Sequence, residues 1–494
     1  MSSAKEPVTR RFGNGLTVLI KEDKSHPVVS LQYWVGTGSM NEGHWQGSGL
    51  SHLLEHLVFK GTEHYSGQDL ARKVQERGGH WNAYTSVNRT VYYIDGPADS
   101  WQIFLNLLTE LVFFPTFPED ELEREKGVVR REMAMYADDP DSVAYQLLMQ
   151  TLYLKHPRRW PVLGEPAAFD CLTRQDVLDY HASRYVPNNV VLSIAGDVDA
   201  AEIFSHLELL VEDLKSRPLN RELIPHEPHQ FGSRRVRKEF AVPYSKLNLA
   251  WRLPCSGHPD TPALSALASI LGGGRSARFY EKFHDRLGLV YSIEVHSNQS
   301  ETDEGAFTIS IDVDRAQRDK VRDLVLQELR NLAQEDFTED LKRVCKQTRV
   351  SRLRRRSSAA GVASEMGADW FGARNLNLSS EWQEAIERVT TEDLHRVCST
   401  WLSSPNVTEV SLDPVGSNAA EEDGSAAGTE TALSEHVLGN GMKVVIREDH
   451  RLPLAYACLA FKAGCRAENE HDAGVTDLML SLIHISEPTR LRCI

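Results

Sequence analysis

The chain has no Cys-x-x-Cys pair and no even set of cysteines. Cys171, Cys255, Cys345, Cys398, Cys458, Cys465 and Cys493 are scattered, which excludes a disulfide framework and a thiolate zinc cluster and reads as free thiols in a reducing compartment. The opening residues, MSSAKEPVTRRFGNG, lack the apolar stretch of a signal peptide. Nor is any apolar run long enough to span a bilayer. The expectation is a cytoplasmic protein with no membrane partner. Positive charge is also short, with 55 Lys and Arg against 70 Asp and Glu, a net charge of −15. That balance excludes a general binder of nucleic acid or anionic lipid.

What is present is a soluble globular composition, 41% hydrophobic and 25% charged, over 494 residues. The length predicts two to four domains. β-branched and aromatic runs predict strands over 15–20, 28–35, 81–86, 90–94 and 190–194. Helices are predicted over 47–59, over 67–77 with a stop at Gly78 and Gly79, over 118–137 and from Ala200. Three acids, Glu119, Asp120 and Glu121, suit the first turn of the third of these. Residues 215–233, rich in Pro, His and Arg, read as a linker. Strands and helices then recur in similar order to about Leu412. Within that stretch the basic run Arg349–Arg356 reads as a solvated helix face. The fold class is α+β, with repeated domains that each pack helices on a mainly antiparallel sheet. Their boundaries are 1–230 and 231–413.

Residues 414–433 read as a flexible linker, rich in Gly, Ala, Ser and Glu. Beyond it the sequence repeats itself: FGNGLTVLIKED at 12–23 returns as LGNGMKVVIRED at 438–449. The same offset sets Pro27 on Pro453, Gly38 on Gly464 and Glu42 on Glu468, which points to an internal duplication. A third copy is therefore expected over 434–479. Where the first copy has His52 and His56, this one has Asp477 or Leu478 and Ser481 or Leu482, so it rebuilds no two-histidine site.

The chemistry concentrates in His52-Leu53-Leu54-Glu55-His56. On a helix, residues four apart share a face, so both imidazoles can point at one zinc ion. Glu55 edges that face and reaches a water without ligating the metal. The alternative is a pair of buried, hydrogen-bonded histidines. A catalytic site also needs a third protein ligand. Glu125 and Glu132, two turns apart on the long helix, are candidates beside Glu121 and Glu123, and spacing alone does not choose among them.

His-x-x-Glu-His is the inverted zincin motif. Here it lies in GSGLSHLLEHLVFKGT, followed by GGHWNAYTSVNRTVYY, EREKGVVRREM and LGGGRSARFYEKFHDRLGLVYSIEV. Together these segments closely resemble the pitrilysin/insulinase family of zinc peptidases, over about residues 10–413 and the start of the third copy. The resemblance implies Glu132 as third zinc ligand, Glu125 as an acid supporting the site, and one zinc ion per chain. It implies Glu55 as the base that activates water. Asn82 and Ala83 match a strand that pairs with the substrate backbone, and Tyr291 matches a second-domain tyrosine at the cleavage site. Two positions depart from the family pattern: Asn88 stands where an acid is usual, and His284 where an arginine is usual, with Arg286 nearby but out of register. The second change puts the cross-domain grip on substrate in doubt.

The activity so implied is a zinc endopeptidase acting on unfolded peptides. The rivals are a non-catalytic structural subunit of the same fold and an inactive fragment. LSLIHISEPTR, which opens residues 480–494, resembles the translation of a transposase-derived sequencing adapter, so a non-native tail is expected there. In long family members a second half closes the chamber. The expectation is that this half, or a homologous partner, is missing here.

Overall fold

Short strands build two sheets of the same design. The first holds Val8–Arg11 (β1), Thr17–Glu22 (β2), Val28–Val35 (β3), His80–Thr85 (β4), Thr90–Pro97 (β5) and Val190–Gly196 (β6), in the order β1-β2-β6-β3-β5-β4. The second holds Arg234–Phe240 (β7), Ser245–Leu253 (β8), Val290–Asn298 (β9), Gly305–Val313 (β10) and Thr408–Pro414 (β11), in the order β7-β11-β8-β10-β9. In each, the pair β2–β6 or β7–β11 is parallel, and the three pairings after it are antiparallel. The fold is α+β and internally repeated. This computed structural model describes residues 6–219, 222–299, 304–403, 406–416, 433–447 and 475.

Helices cover the sheets: Leu50–Val58 (α1), Gly67–Glu76 (α2), Trp101–Phe113 (α3), Glu119–Asp138 (α4), Pro140–Leu152 (α5), Pro166–Asp170 (α6), Arg174–Arg184 (α7), Ala200–Leu210 (α8), Thr261–Gly272 (α9), Arg318–Asn331 (α10), Thr338–Arg355 (α11) and Ala359–Ala373 (α12). The leucines of α1 and the apolar side of α3 pack with β2, β3 and β6 in the main core. Helix α9 occupies the matching place in the second half, TPALSALASILG, with neither histidine nor glutamate.

The halves exchange helices. Helix α12 lies on the other face of the first sheet, where Ala363 and Met366 meet Leu19, Trp34, Val91, Val191 and Ala195. Ser193 Oγ donates to Ala363 O at 2.7 Å and Gln32 Nε2 to Ala360 O at 3.1 Å. In return, Leu148, Met149 and Leu152 of α5, with Tyr153, pack on Ala250, Ala306 and Val410 of the second sheet. Lys246 on β8 pairs with Asp141 on α5 at 2.7 Å. The segment at 215–233 is pinned in passing. Glu227 accepts the N–H groups of Leu154, Lys155 and His156, just past α5, at 2.7, 2.8 and 3.0 Å, and these bonds hold this carboxyl below its ordinary pKa despite its burial. The basic run in α11 is a helix face, but not wholly solvated: Arg352 and Arg356 both reach Glu365 of α12, at 3.0 and 2.8 Å.

The chain splits into two compact units, Met1–Gly424 and Ser425–Ile494. In the second, Leu433–Val437 (β12) pairs with Lys443–Arg447 (β13). The register Ser434↔Ile446 and Val437↔Lys443 is that of Val8↔Ile20 and Arg11↔Thr17 shifted by the repeat offset. The turn is copied too, with Gly15 at φ +92° and Gly441 at φ +84°, a region that favours glycine. Apart from Val475, the rest of the expected third copy, most of the 414–433 linker and the 480–494 tail lie outside the described residues. The four described cysteines, Cys171, Cys255, Cys345 and Cys398, are unpaired. No helix among the described residues is long and apolar enough to cross a membrane.

Candidate metal centre and active site

Helix α1 starts under constraint. Gly49 precedes it at φ +73°, and a Cβ there would lie 2.0 Å from Leu163 O. A capping side chain is therefore impossible at that position. Glu42 supplies the cap from a distance, its Oε1 accepting the Ser51 N–H at 2.9 Å. Tyr180 steadies the same turn, its hydroxyl 2.8 Å from Ser51 Oγ and 2.7 Å from Thr37 Oγ1. His52 follows directly.

His52, Glu55 and His56 edge the side of α1 that faces α4. His52 Nε2 and His56 Nε2 lie 3.8 and 3.7 Å from Glu132 Oε2. One ligand atom from each of the three falls within 4.8 Å of the others. These gaps exceed hydrogen-bond length and approach the ligand–ligand separation of tetrahedral zinc, about 3.4 Å for bonds near 2.0–2.1 Å. Burial, and then the charge of His56, lower the His52 pKa to about 4, so this ring is neutral at pH 7 with a lone pair to offer. His56 Nδ1 lies 3.2 Å from Glu125 Oε2, which fixes the tautomer that turns Nε2 toward Glu132. Lys60 Nζ holds the other oxygen of Glu125 at 2.7 Å. His52 Nδ1 has no such partner among the described residues. The donor set fits one zinc ion.

Glu55 stands beside these groups. Burial raises its carboxyl pKa above the usual range, against the hydrogen bond from Thr85, whose Oγ1 donates to Glu55 Oε2 at 2.6 Å. A half-buried carboxylate so poised is a competent general base. His52, Glu55 and Glu132 open on a cavity of about 810 Å³, lined also by Ala83, Thr85, Tyr136, Tyr145 and, from β7, Lys238.

Of the residues expected to touch substrate, Ala83 lines the cavity, whereas Asn82 and Tyr291 are not among its lining residues. The two-residue period of β4 turns Trp81, Ala83 and Thr85 to the half-buried face and leaves Asn82 exposed. Asn82 Oδ1 accepts the Ala83 N–H at 2.8 Å. Tyr291 is 47% exposed on β9, the far edge of the second sheet, with its ring 5.1 Å from that of Tyr244. His284, in the helical turn Tyr280–Arg286, stacks on Tyr280 and bonds Asp285 at 2.7 Å. Lys60 and Thr85 were not read from the sequence. The four-residue spacing from His56 could have pointed to Lys60. No local signal marks Thr85, because its partner lies on another element.

Residues 17–165 match the family described as Insulinase (Peptidase family M16), and residues 172–347 match the Peptidase M16 inactive domain. An uncharacterized zinc protease of Rickettsia felis is 27% identical over 406 residues, 80% of this chain and 94% of its own length. One of Mycobacterium bovis is 30% identical over 59% of this chain and 67% of its own length. Among solved structures, a protease from Helicobacter pylori superposes with a TM-score of 0.75 at 26% identity, over 83% of this chain and all of that one. A peptidase M16 inactive domain from Pseudomonas fluorescens shares the fold, with a TM-score of 0.76 at 21% identity over 83% of this chain and 98% of that one. With the His-x-x-Glu-His helix and its glutamate partners on one side of the first sheet, the chain belongs to the insulinase family of peptidases, M16.

Proposed function

We propose that this protein is a zinc endopeptidase that cuts unfolded peptides. The observation that carries the reading is the convergence of His52, His56 and Glu132 at a cavity that Glu55 also lines. His52, His56 and Glu132 would hold the ion, and Glu125 orients His56. When bound, zinc supplies a Lewis acid that polarises a carbonyl and acidifies water. Glu55 accepts a proton from the attacking water and returns it to the departing amine nitrogen. Neutral His52 keeps its lone pair available at the working pH.

The peptide lies along β4. That strand is an edge, with β5 on one side only, so its outer backbone groups are open to an added strand. Main-chain pairing needs an extended substrate, which selects unfolded peptides over folded proteins.

The test is Glu55→Gln. The variant retains one zinc per chain and loses peptide cleavage by about 10²-fold or more, the contribution of a positioned general base. Loss of the zinc together with the activity would assign Glu55 to the metal instead.

A further inference from the structure

Thr85 joins the strand that would receive substrate to the group that would move the proton. It is the last residue of β4, on the same face as Ala83, and it lines the cavity. Its hydroxyl donates to Glu55 Oε2 at 2.6 Å, a short contact of the charge-assisted kind. A carboxylate on a helix side chain otherwise rotates about its terminal torsion, which is broad. The Thr85 hydroxyl restricts that freedom at Oε2, and the Thr85 N–H also bonds the carboxylate.

We propose that Thr85 is a positioning residue for the hydrolysis, fixing the Glu55 carboxylate from the substrate-binding strand. The proposal rests on the peptidase reading above. It makes seating of a peptide on β4 and alignment of the base one event, because both depend on the backbone at the end of the same strand. Glu125 acts on a different atom, His56 Nδ1, and Lys60 acts on Glu125, so Thr85 is separable from metal binding.

Two substitutions in the full chain divide the hydroxyl from the bulk. Thr85→Val keeps the volume and the β-branched shape that suits a strand, and loses the donor. Thr85→Ser keeps the donor and loses a methyl group. With zinc bound, Thr85→Val lowers kcat by about tenfold or more, part of the roughly 10²–10⁴ that a general base contributes. KM for an unstructured peptide stays at the wild-type value. So does zinc affinity, measured by chelator competition. Thr85→Ser restores most of the lost rate. A Thr85→Val enzyme as fast as wild type overturns the proposal, as does a loss of zinc affinity in step with the rate or a failure of serine to rescue. If the zinc-loaded wild-type chain itself cuts no peptide, the peptidase reading falls first and the role of Thr85 with it.

Discussion

At the residue scale, two buried groups titrate with opposite consequences. Burial lifts the Glu42 carboxyl from its ordinary 4.5 to about 8. The folded chain then keeps a proton that the unfolded chain has released. Stability from this group is full below pH 4.5 and is lost as pH rises through 8. His52 runs the other way. Its pKa falls from 6.5 to about 4, so its contribution is present above 6.5 and lost as pH falls through 4. The window from 6.5 to 8 therefore belongs to Glu42 alone of the two. Urea denaturation of the zinc-free chain is expected to show stability declining across that window, and Glu42→Gln is expected to flatten the decline. An unchanged slope in the variant contradicts this account of Glu42. The ion pair behind His56 gives a second expectation. Glu125→Ala and Lys60→Met weaken zinc binding, by about 10- to 100-fold for the first, as loss of an orienting partner does. Equal zinc affinity in both variants and wild type would show that the tautomer is fixed otherwise.

Elements differ in how much of them the sequence discloses. Strand β3 and helix α4 match their predicted spans almost residue for residue, because each carries a strong local pattern. Helix α1 begins at Leu50 rather than Gly47, since Gly47 and Gly49 hold positive φ. Helix α3, WQIFLNLLTELVF, is apolar on most sides and shows little helical period. Helix α5 likewise carries little helical period of its own. Its apolar residues serve the second sheet, a partner that local spacing cannot reveal. The site followed the same rule. His52, Glu55 and His56 were legible within one helix, whereas Glu132 needed the family resemblance and Thr85 needed the fold. The start of α1 yields its own prediction. Gly49→Ala puts a side chain at φ +73° against the Leu163 carbonyl. It is expected to cost about 1–3 kcal/mol, the range for strained backbone, measured as a shift of the denaturation midpoint. A neutral effect would mean that the 163–164 loop yields freely.

For the molecule as a whole, the exchange of α5 and α12 ties the two sheets into one folding unit. One close approach in that exchange is Gly367, where a Cβ would lie 2.3 Å from the Trp34 ring. Gly367→Ala is expected to destabilise the chain by about 1–3 kcal/mol through overpacking, with both halves melting together. Separate transitions would show that the exchange does not couple them. The second sheet carries no counterpart of the metal helix, since α9 offers only apolar and hydroxyl side chains. Among the described residues a single candidate metal site remains, and a zinc titration tests the proposed peptidase reading of it most directly. Chelator-stripped protein is given zinc in fractional steps while bound metal and cleavage of an unstructured peptide are read together. The account predicts that both rise in proportion and stop at one equivalent, and that His52→Ala and Glu132→Ala bind weakly. Full zinc occupancy with no cleavage, or cleavage that persists in stripped protein, would contradict it.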